Sequence, residues 1–289
     1  MASVSLKRAP KRVVTFDVFN RRVRTLGMIA FSVAVLAVMM LLAQVLGVDG
    51  LQTRLDVRNQ PPSWANPFGT DWLGRDMFTR TLQGLTISLR VGLIASALSA
   101  VLGLLVGLAA ATLGGWVDAA ITWLIDLFMS LPHMVALILI AFVFGGGVNG
   151  VIASVALTHW TGLARVIRAE VLQLKTADYV QLSARFGHSK MWIARHHLLP
   201  HLFPQFVVGL LLLFPHAILH EAGITFIGIG LSPHQPAVGV ILSESMRHLS
   251  TGYWWLAVLP GLALLVMVKS FDALGENLRA LLDPRTAQE

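Results

Sequence analysis

The stretch VGLIASALSAVLGLLVGLAAATL, residues 91–113, carries no charged side chain. A helix rises about 1.5 Å per residue, so a run of this length can cross a bilayer core of about 30 Å. The stretch is also rich in Gly, Ala and Ser, which let neighbouring helices approach closely in lipid. It therefore predicts a transmembrane helix that packs tightly against other helices.

Five further apolar runs lie along the chain. They are residues 25–47, 119–145 with Pro132 inside, 148–164, a run within 202–231, and 253–268. Only 13% of the residues are charged, against about 25% in soluble domains. Residues 25–47 are too long for the apolar part of a signal peptide, so we interpret them as a retained span. The sequence predicts an all-α integral membrane protein with six transmembrane helices.

The distribution of Lys and Arg predicts the orientation of these spans. Residues 1–24 contain seven basic side chains and residues 165–201 contain six, whereas residues 48–85 contain equal numbers of basic and acidic ones. Excess Lys and Arg mark the cytoplasmic side, so both termini and the 165–201 loop are predicted to be cytoplasmic.

The net charge of +7 is explained by this clustering, and we expect no nucleic-acid partner. The chain has no cysteine, which leaves His, Asp and Glu as metal ligands.

The most informative connecting segment is DYVQLSARFGHSKMWIARHHLLP, residues 178–200. It predicts two short helices. The first ends near Phe186, where Gly187 can take a left-handed conformation, and the second begins at Ser189 and stops before Pro200. A compact helical knob of this kind can transmit force to a partner. An ordinary basic loop is the alternative, and the spacing alone leaves both interpretations open.

This segment resembles the loop signature of ABC importer permease subunits: Glu-Ala-Ala, then a Gly, then an aliphatic residue before Leu-Pro. The matching residues are Tyr179, Gly187, Leu199 and Pro200. The departures are Gln181, Leu182 and Ser183 in place of Glu-Ala-Ala, and His197 at the aliphatic position. The resemblance implies that this coupling loop contacts an ATPase subunit.

Three other segments resemble the peptide/nickel class of these permeases. They are NPFGTDWLGRDMFTR (66–80), GGWVDAAITWLIDLFMSLP (114–132) and FDALGENLRALLDP (271–284). The resemblance covers residues 25–285 and implies one six-helix permease domain of the type I importer fold, between a basic segment (1–24) and a short tail (286–289). It implies a bacterial inner-membrane protein that works with a second related permease, two cytoplasmic ATPase subunits and an extracytoplasmic binding protein. The chain lacks a Gly-x4-Gly-Lys-Ser/Thr phosphate loop. We therefore predict a non-catalytic transport subunit without a cofactor.

The apolar stretch FPHAILHEAGITFIGIG, residues 214–230, contains His216, His220 and Glu221. The two histidines are four residues apart and share a helix face. A metalloprotease helix requires His-Glu-x-x-His, and the second histidine is missing after His220-Glu221. Two hypotheses remain: polar contacts between helices, or side chains that line a translocation path. Path candidates are these three residues and His159.

The histidine pattern bears on the substrate. His-x3-His before Ala-Gly, together with His159–Trp160, resembles nickel-type members of the class. This implies a nickel-like metal or metal chelate as substrate, with His216 and His220 as transient ligands. Dipeptides or oligopeptides are the alternative substrates. A membrane-embedded metallohydrolase and a purely structural anchor are the remaining function classes.

Overall fold

The computed structural model describes residues 17–282. The basic residues Lys7, Arg8, Lys11 and Arg12 and the tail 286–289 lie outside the described residues, so the predicted location of the termini stays a prediction. The described part is helical, apart from turns, loops and one isolated β-bridge between Thr70 and Asp76.

The described chain contains ten α-helices. They are α1 (Asp17–Leu46), α2 (Met77–Leu113), α3 (Gly115–Ser130), α4 (His133–Val143), α5 (Gly147–Leu174), α6 (Asp178–Arg185), α7 (Lys190–Ile193), α8 (Leu199–Ile227), α9 (Val238–Leu249) and α10 (Trp255–Leu282). Five described helices are long and apolar enough to cross a membrane, or six if α3 and α4 form one broken span. The predicted all-α, six-span architecture is confirmed.

The small residues of α2 explain how the bundle packs. Gly103 and Gly107 lie directly against α5, and a Cβ added at Gly107 would come within 2.5 Å of the Ala164 carbonyl oxygen. Ala100 and Ala111 of α2 are buried in one core cluster with α5 and the segment that follows it. The close approach predicted from the composition of residues 91–113 is therefore present.

The third span is broken at Leu131–Pro132, as the position of Pro132 predicts. Leu131 takes an extended conformation, which the following proline favours. The axes of α3 and α4 differ by 101°. After the break, α4 packs along the first half of α5, where Leu137 and Ala141 share a core cluster with Val151.

Two predicted helix ends are wrong. The helix of the fourth span does not stop at residue 164 but continues to Leu174, and in this part Arg168 forms an ion pair with Asp118 of α3. The helix that begins at Ser189 does not stop before Pro200. It continues through a π turn, Ala194–Leu198, directly into α8. The wider π turn accommodates Pro200, which cannot donate an amide bond to the preceding turn.

The bundle has two distinct ends. The loop end carries residues 48–76, the start of α2, and α9. The knob end carries α6, α7 and the π turn. We call these residues, 178–198, the coupling knob. Lys175 Nζ and Lys190 Nζ donate hydrogen bonds to the carbonyl oxygens of Ala111 and Leu113, at distances of 2.9 and 3.4 Å. The Lys190 bond attaches the knob to the end of α2, and the Lys175 bond attaches the end of α5 beside it.

Candidate functional site

Three histidines from three different helices meet inside the bundle. His133 is the first residue of α4, His159 lies in α5 and His220 lies in α8. Their ring centroids are 4.7 Å apart for His133–His159, 4.8 Å for His133–His220 and 4.9 Å for His159–His220. One ring nitrogen from each residue lies within 4.8 Å of the others. We call these three residues the histidine cluster.

The cluster lies at membrane depth. At about 1.5 Å per residue, His159 is about 18 Å from the first residue of α5 and His220 is about 10 Å from the last residue of α8. Half of a bilayer core is about 15 Å. Polar groups at such depth usually face a partner or a water-filled path. His133 is exposed and the other two are half-buried, so the cluster is open on the α4 side.

Local structure orients the ring of His159. Its Nδ1 lies 3.1 Å from the Val155 carbonyl oxygen, one turn earlier, and 3.0 Å from Thr158 Oγ1. A carbonyl accepts only, so this contact assigns the proton to Nδ1. The other nitrogen, Nε2, then carries the lone pair.

The structure separates residues that the sequence grouped together. His216 is exposed and its Nδ1 lies 3.1 Å from the Leu212 carbonyl oxygen; its ring is not one of the three in the cluster. Glu221 is fully buried on another side of α8, where Thr225 donates a hydrogen bond of 3.0 Å to its Oε1. Its second oxygen, Oε2, has no hydrogen-bond partner among the described residues.

His133 was not among the residues that the sequence singled out. The signal was present, because a histidine directly after the proline that breaks an apolar span begins a new helix at membrane depth. The spacing argument concerned one helix only, whereas the cluster is assembled from three.

The coupling knob has the predicted local structure in its first half. α6 ends at Arg185, and Gly187 takes a left-handed φ of 85°. Ser189 caps α7 by accepting a hydrogen bond of 3.2 Å from the amide of Trp192. Gln181 donates a bond of 3.0 Å to the Thr176 carbonyl oxygen.

The outer surface of the knob is apolar and exposed. Tyr179, Leu182, Phe186 and Met191 are all exposed, and Phe186 reaches 80%. Leu199, just after the knob, is also exposed. Several exposed apolar side chains on one segment are typical of a contact surface for another protein.

An ion-pair cluster at the loop end connects residues 48–76 to the helices. Asp71 Oδ2 accepts hydrogen bonds from Arg75 Nε at 2.7 Å and from Arg80 at 3.1 Å. Arg80 also contacts Glu244 of α9 at 2.7 Å. The side chains of Asp71 and Arg80 are each only 3% exposed. Sequence reasoning recognised this segment by resemblance but did not predict these contacts.

Five described helices, or six if α3 and α4 are one span, are long and apolar enough to cross a membrane, so the fold is that of a multi-pass membrane protein. Residues 99–288 match the model of a family described as binding-protein-dependent transport system inner membrane components. The chain belongs to this family, the permease subunits of ABC importers. It is therefore a non-catalytic transport subunit of the inner membrane, and ATP hydrolysis takes place on partner subunits.

Two curated relatives cover most of the chain. The dipeptide transport system permease protein DppC of Bacillus subtilis is 35% identical, over 80% of this chain and 72% of its own length. A putative peptide transport system permease protein of Brucella suis is 32% identical, over 98% of this chain and 94% of its own length. These matches confirm the predicted peptide/nickel class of permeases.

Solved structures share the fold. The MetNI methionine ABC transporter, in an inward-facing conformation, aligns with a TM-score of 0.58 and 18% identity, over 72% of this chain and 98% of that one. An amino acid ABC transporter crystallised with histidines aligns with a TM-score of 0.53 and 16% identity, over 70% of this chain and 94% of that one. The type I importer fold predicted from the sequence is thus confirmed.

Proposed function

We propose that this chain is a peptide permease subunit that forms, with a second related permease, the membrane path for dipeptides or oligopeptides. The observation that carries this proposal is the naming of relatives that are 32–36% identical over most of the chain. The nickel-like substrate predicted from His216 and His220 gains no support from these relatives. Peptides, the alternative substrates of the sequence analysis, therefore become the proposed cargo.

The coupling knob is proposed as the contact with the ATPase subunit. Its exposed apolar surface supports this role, because a soluble partner would bury side chains that are otherwise in water. The residues assigned to this contact are Tyr179, Gln181, Leu182, Ser183, Gly187, His197, Leu199 and Pro200. The family implies two such ATPase subunits and a substrate-binding protein.

The orientation follows from the same assignment. The knob end lies in the cytoplasm, and the loop end faces the extracytoplasmic binding protein. The excess of Lys and Arg in residues 165–201 supports this orientation. The path candidates His159, His216, His220 and Glu221 lie in α5 and α8, between the two ends.

The test is transport by the complete importer in proteoliposomes. The chain is assembled with its partner permease, ATPases and binding protein, and uptake is measured for a labelled dipeptide, a labelled oligopeptide and nickel ions. We expect ATP-dependent uptake of at least one peptide. Uptake of nickel ions without uptake of either peptide would overturn the proposal.

A further inference from the structure

We propose that His133, His159 and His220 form a binding site for one divalent transition metal ion of the nickel, copper and zinc group. We further infer that the ion enters as part of a metal–peptide complex. This second statement rests on the proposed peptide transport, whereas the first does not. The sequence analysis assigned transient metal ligands to His216 and His220, so the site proposed here differs in two of its three residues.

The spacing of the rings is close to that of a metal site. Metal–nitrogen bonds of about 2.1 Å place the ligand nitrogens of a tetrahedral site about 3.4 Å apart. The nitrogens of the cluster are within 4.8 Å of one another. The remaining difference is about 1 Å or somewhat more, which small side-chain rotations can supply because His133 is exposed at a helix break.

The rings lack the contacts that interhelical polar packing would provide. Histidines that join helices do so by hydrogen bonds. Among residues 17–282, the rings of His133 and His220 have no hydrogen-bond partner, and no hydrogen bond connects the three rings. The ring nitrogens of His133 and His220 are therefore available as ligands. Of the three residues, His159 is the most similar to a metal-ligating histidine. Its Nδ1 is hydrogen-bonded to a backbone carbonyl oxygen, which leaves Nε2 free.

The donor set selects the class of ion. Imidazole nitrogens suit nickel, copper and zinc, whereas magnesium and calcium require oxygen ligands. The nearest carboxylate in sequence, Glu221, is engaged with Thr225 on another side of α8. The chain has no cysteine that could add a thiolate. An all-imidazole site of this kind excludes the hard cations.

Three ligands leave coordination positions open. A four-coordinate ion would have one open position and a six-coordinate ion three. The terminal amine and the first carbonyl oxygen of a peptide can fill such positions, so a peptide that carries a metal can be held through the ion. A site on a transport path must also release its cargo, and an incomplete protein ligand set favours release.

Metal binding is measured first, on the assembled importer purified through a tag without histidines. Ni²⁺ binding is followed by calorimetry, and Co²⁺ is used as a spectroscopic probe of nitrogen coordination. We expect one site per copy of this chain, and we expect His133→Ala, His159→Ala and His220→Ala each to weaken binding at least about tenfold. His216→Ala is the matched control, since it removes a histidine of the same helix outside the cluster. The metal-site proposal fails if the wild-type importer binds no ion at this chain, or if His216→Ala weakens binding as much as His220→Ala.

A conservative variant guards against misfolding. His220→Gln keeps the size and polarity of the side chain, so the variant importer is expected to assemble while it loses the bound ion. Retention of the ion by an assembled His220→Gln importer would also overturn the site.

Transport then separates the two statements. Uptake of a labelled dipeptide is compared with and without Ni²⁺, in wild type and in His220→Gln. We expect the variant to lose more of its uptake of the nickel complex than of its uptake of the metal-free peptide. Uptake of the metal-free peptide by the wild type without uptake of the nickel complex would refute the metal–peptide cargo but leave peptide transport intact. Absence of any peptide uptake by the wild type would refute the proposed function itself, and metal binding would still decide the site.

Discussion

Ser183 Oγ lies 2.7 Å from Nε2 of His197, and this contact joins the two halves of the coupling knob. The ring of Tyr179 packs edge-on against the same imidazole, with centroids 5.6 Å apart. Ser183 and His197 are two of the positions at which the segment departs from the loop signature that it resembles. The hydrogen bond thus pairs the two departures with each other.

This contact predicts non-additive mutant effects. Ser183→Ala and His197→Leu should each reduce peptide-stimulated ATPase activity, because each leaves one polar partner unsatisfied. The double variant should recover much of the loss, since it restores an apolar pair. The expected coupling energy is about 0.5–1.5 kcal/mol, that of one hydrogen bond. Strictly additive losses would show that the contact has no role in the knob.

Gly187 is expected to tolerate only residues that accept a left-handed backbone. Its φ is 85° and no atom lies within 4 Å of the position where a Cβ would be built, so the restriction comes from the backbone alone. Gly187→Val should uncouple ATP hydrolysis from transport by re-aiming the knob, at a backbone cost of about 1–2 kcal/mol or more. Gly187→Asn is the control, because Asn enters this conformation readily. Near wild-type coupling in Gly187→Val would contradict a hinge at this position.

The ion-pair cluster at the loop end should matter far more for stability than an exposed pair. Arg80→Ala removes a buried guanidinium that contacts both Asp71 and Glu244, while Asp71 keeps Arg75 as a partner, and the expected destabilisation is about 1.5–3 kcal/mol. Arg165→Ala removes a pair with Asp126 in which both side chains are more than half exposed, and its cost is expected to be about 0–1 kcal/mol. Thermal unfolding of the purified importer compares the two variants. Similar midpoints would argue against a structural role of the buried cluster.

The contact of α2 with α5 predicts a sharp difference between two glycines. An added methyl group at Gly107 would lie 2.5 Å from the Ala164 carbonyl oxygen, whereas nothing lies within 4 Å at Gly162 of α5. Gly107→Ala should therefore destabilise the bundle by about 1–3 kcal/mol. Gly162→Ala should be neutral or slightly stabilising, because Ala favours a helix. Thermal unfolding and membrane yield are the measurements, and equal behaviour of the two variants would disprove the close helix contact.

Cysteine labelling tests the proposed orientation in a chain that has no cysteine of its own. Ser63→Cys at the loop end should react with an impermeant maleimide added from outside the cytoplasmic membrane. Met191→Cys, which replaces an exposed side chain of the knob, should react only after the membrane is opened. Labelling of position 191 from outside in intact cells or spheroplasts would reverse the assignment.

The spans were predictable because each is a long apolar run, and composition alone decides whether a helix is stable in lipid. Their ends were not, because a helix can continue past its apolar run into charged residues, as α5 does through Arg168, which pairs with Asp118. The path of the chain after Ser189 was mispredicted because Pro200 usually ends a helix, and only the π turn before it allows continuation. The histidine cluster needed three helices, and helix periodicity relates residues within one helix only.

The π turn has a mechanical consequence. Because it joins α7 to α8 without a loop, residues 190–226 form one continuous rod that carries the knob at one end and His220 near the other. Trp192 of the knob and His220 are separated by about 42 Å along this rod, at 1.5 Å per residue. We expect motion along the axis to be transmitted through this continuous helix. Sideways tilt is absorbed at Pro204 and Pro215, where the backbone ladder lacks a bond. A piston-like stroke of the knob therefore reaches the histidine cluster more fully than a rocking one.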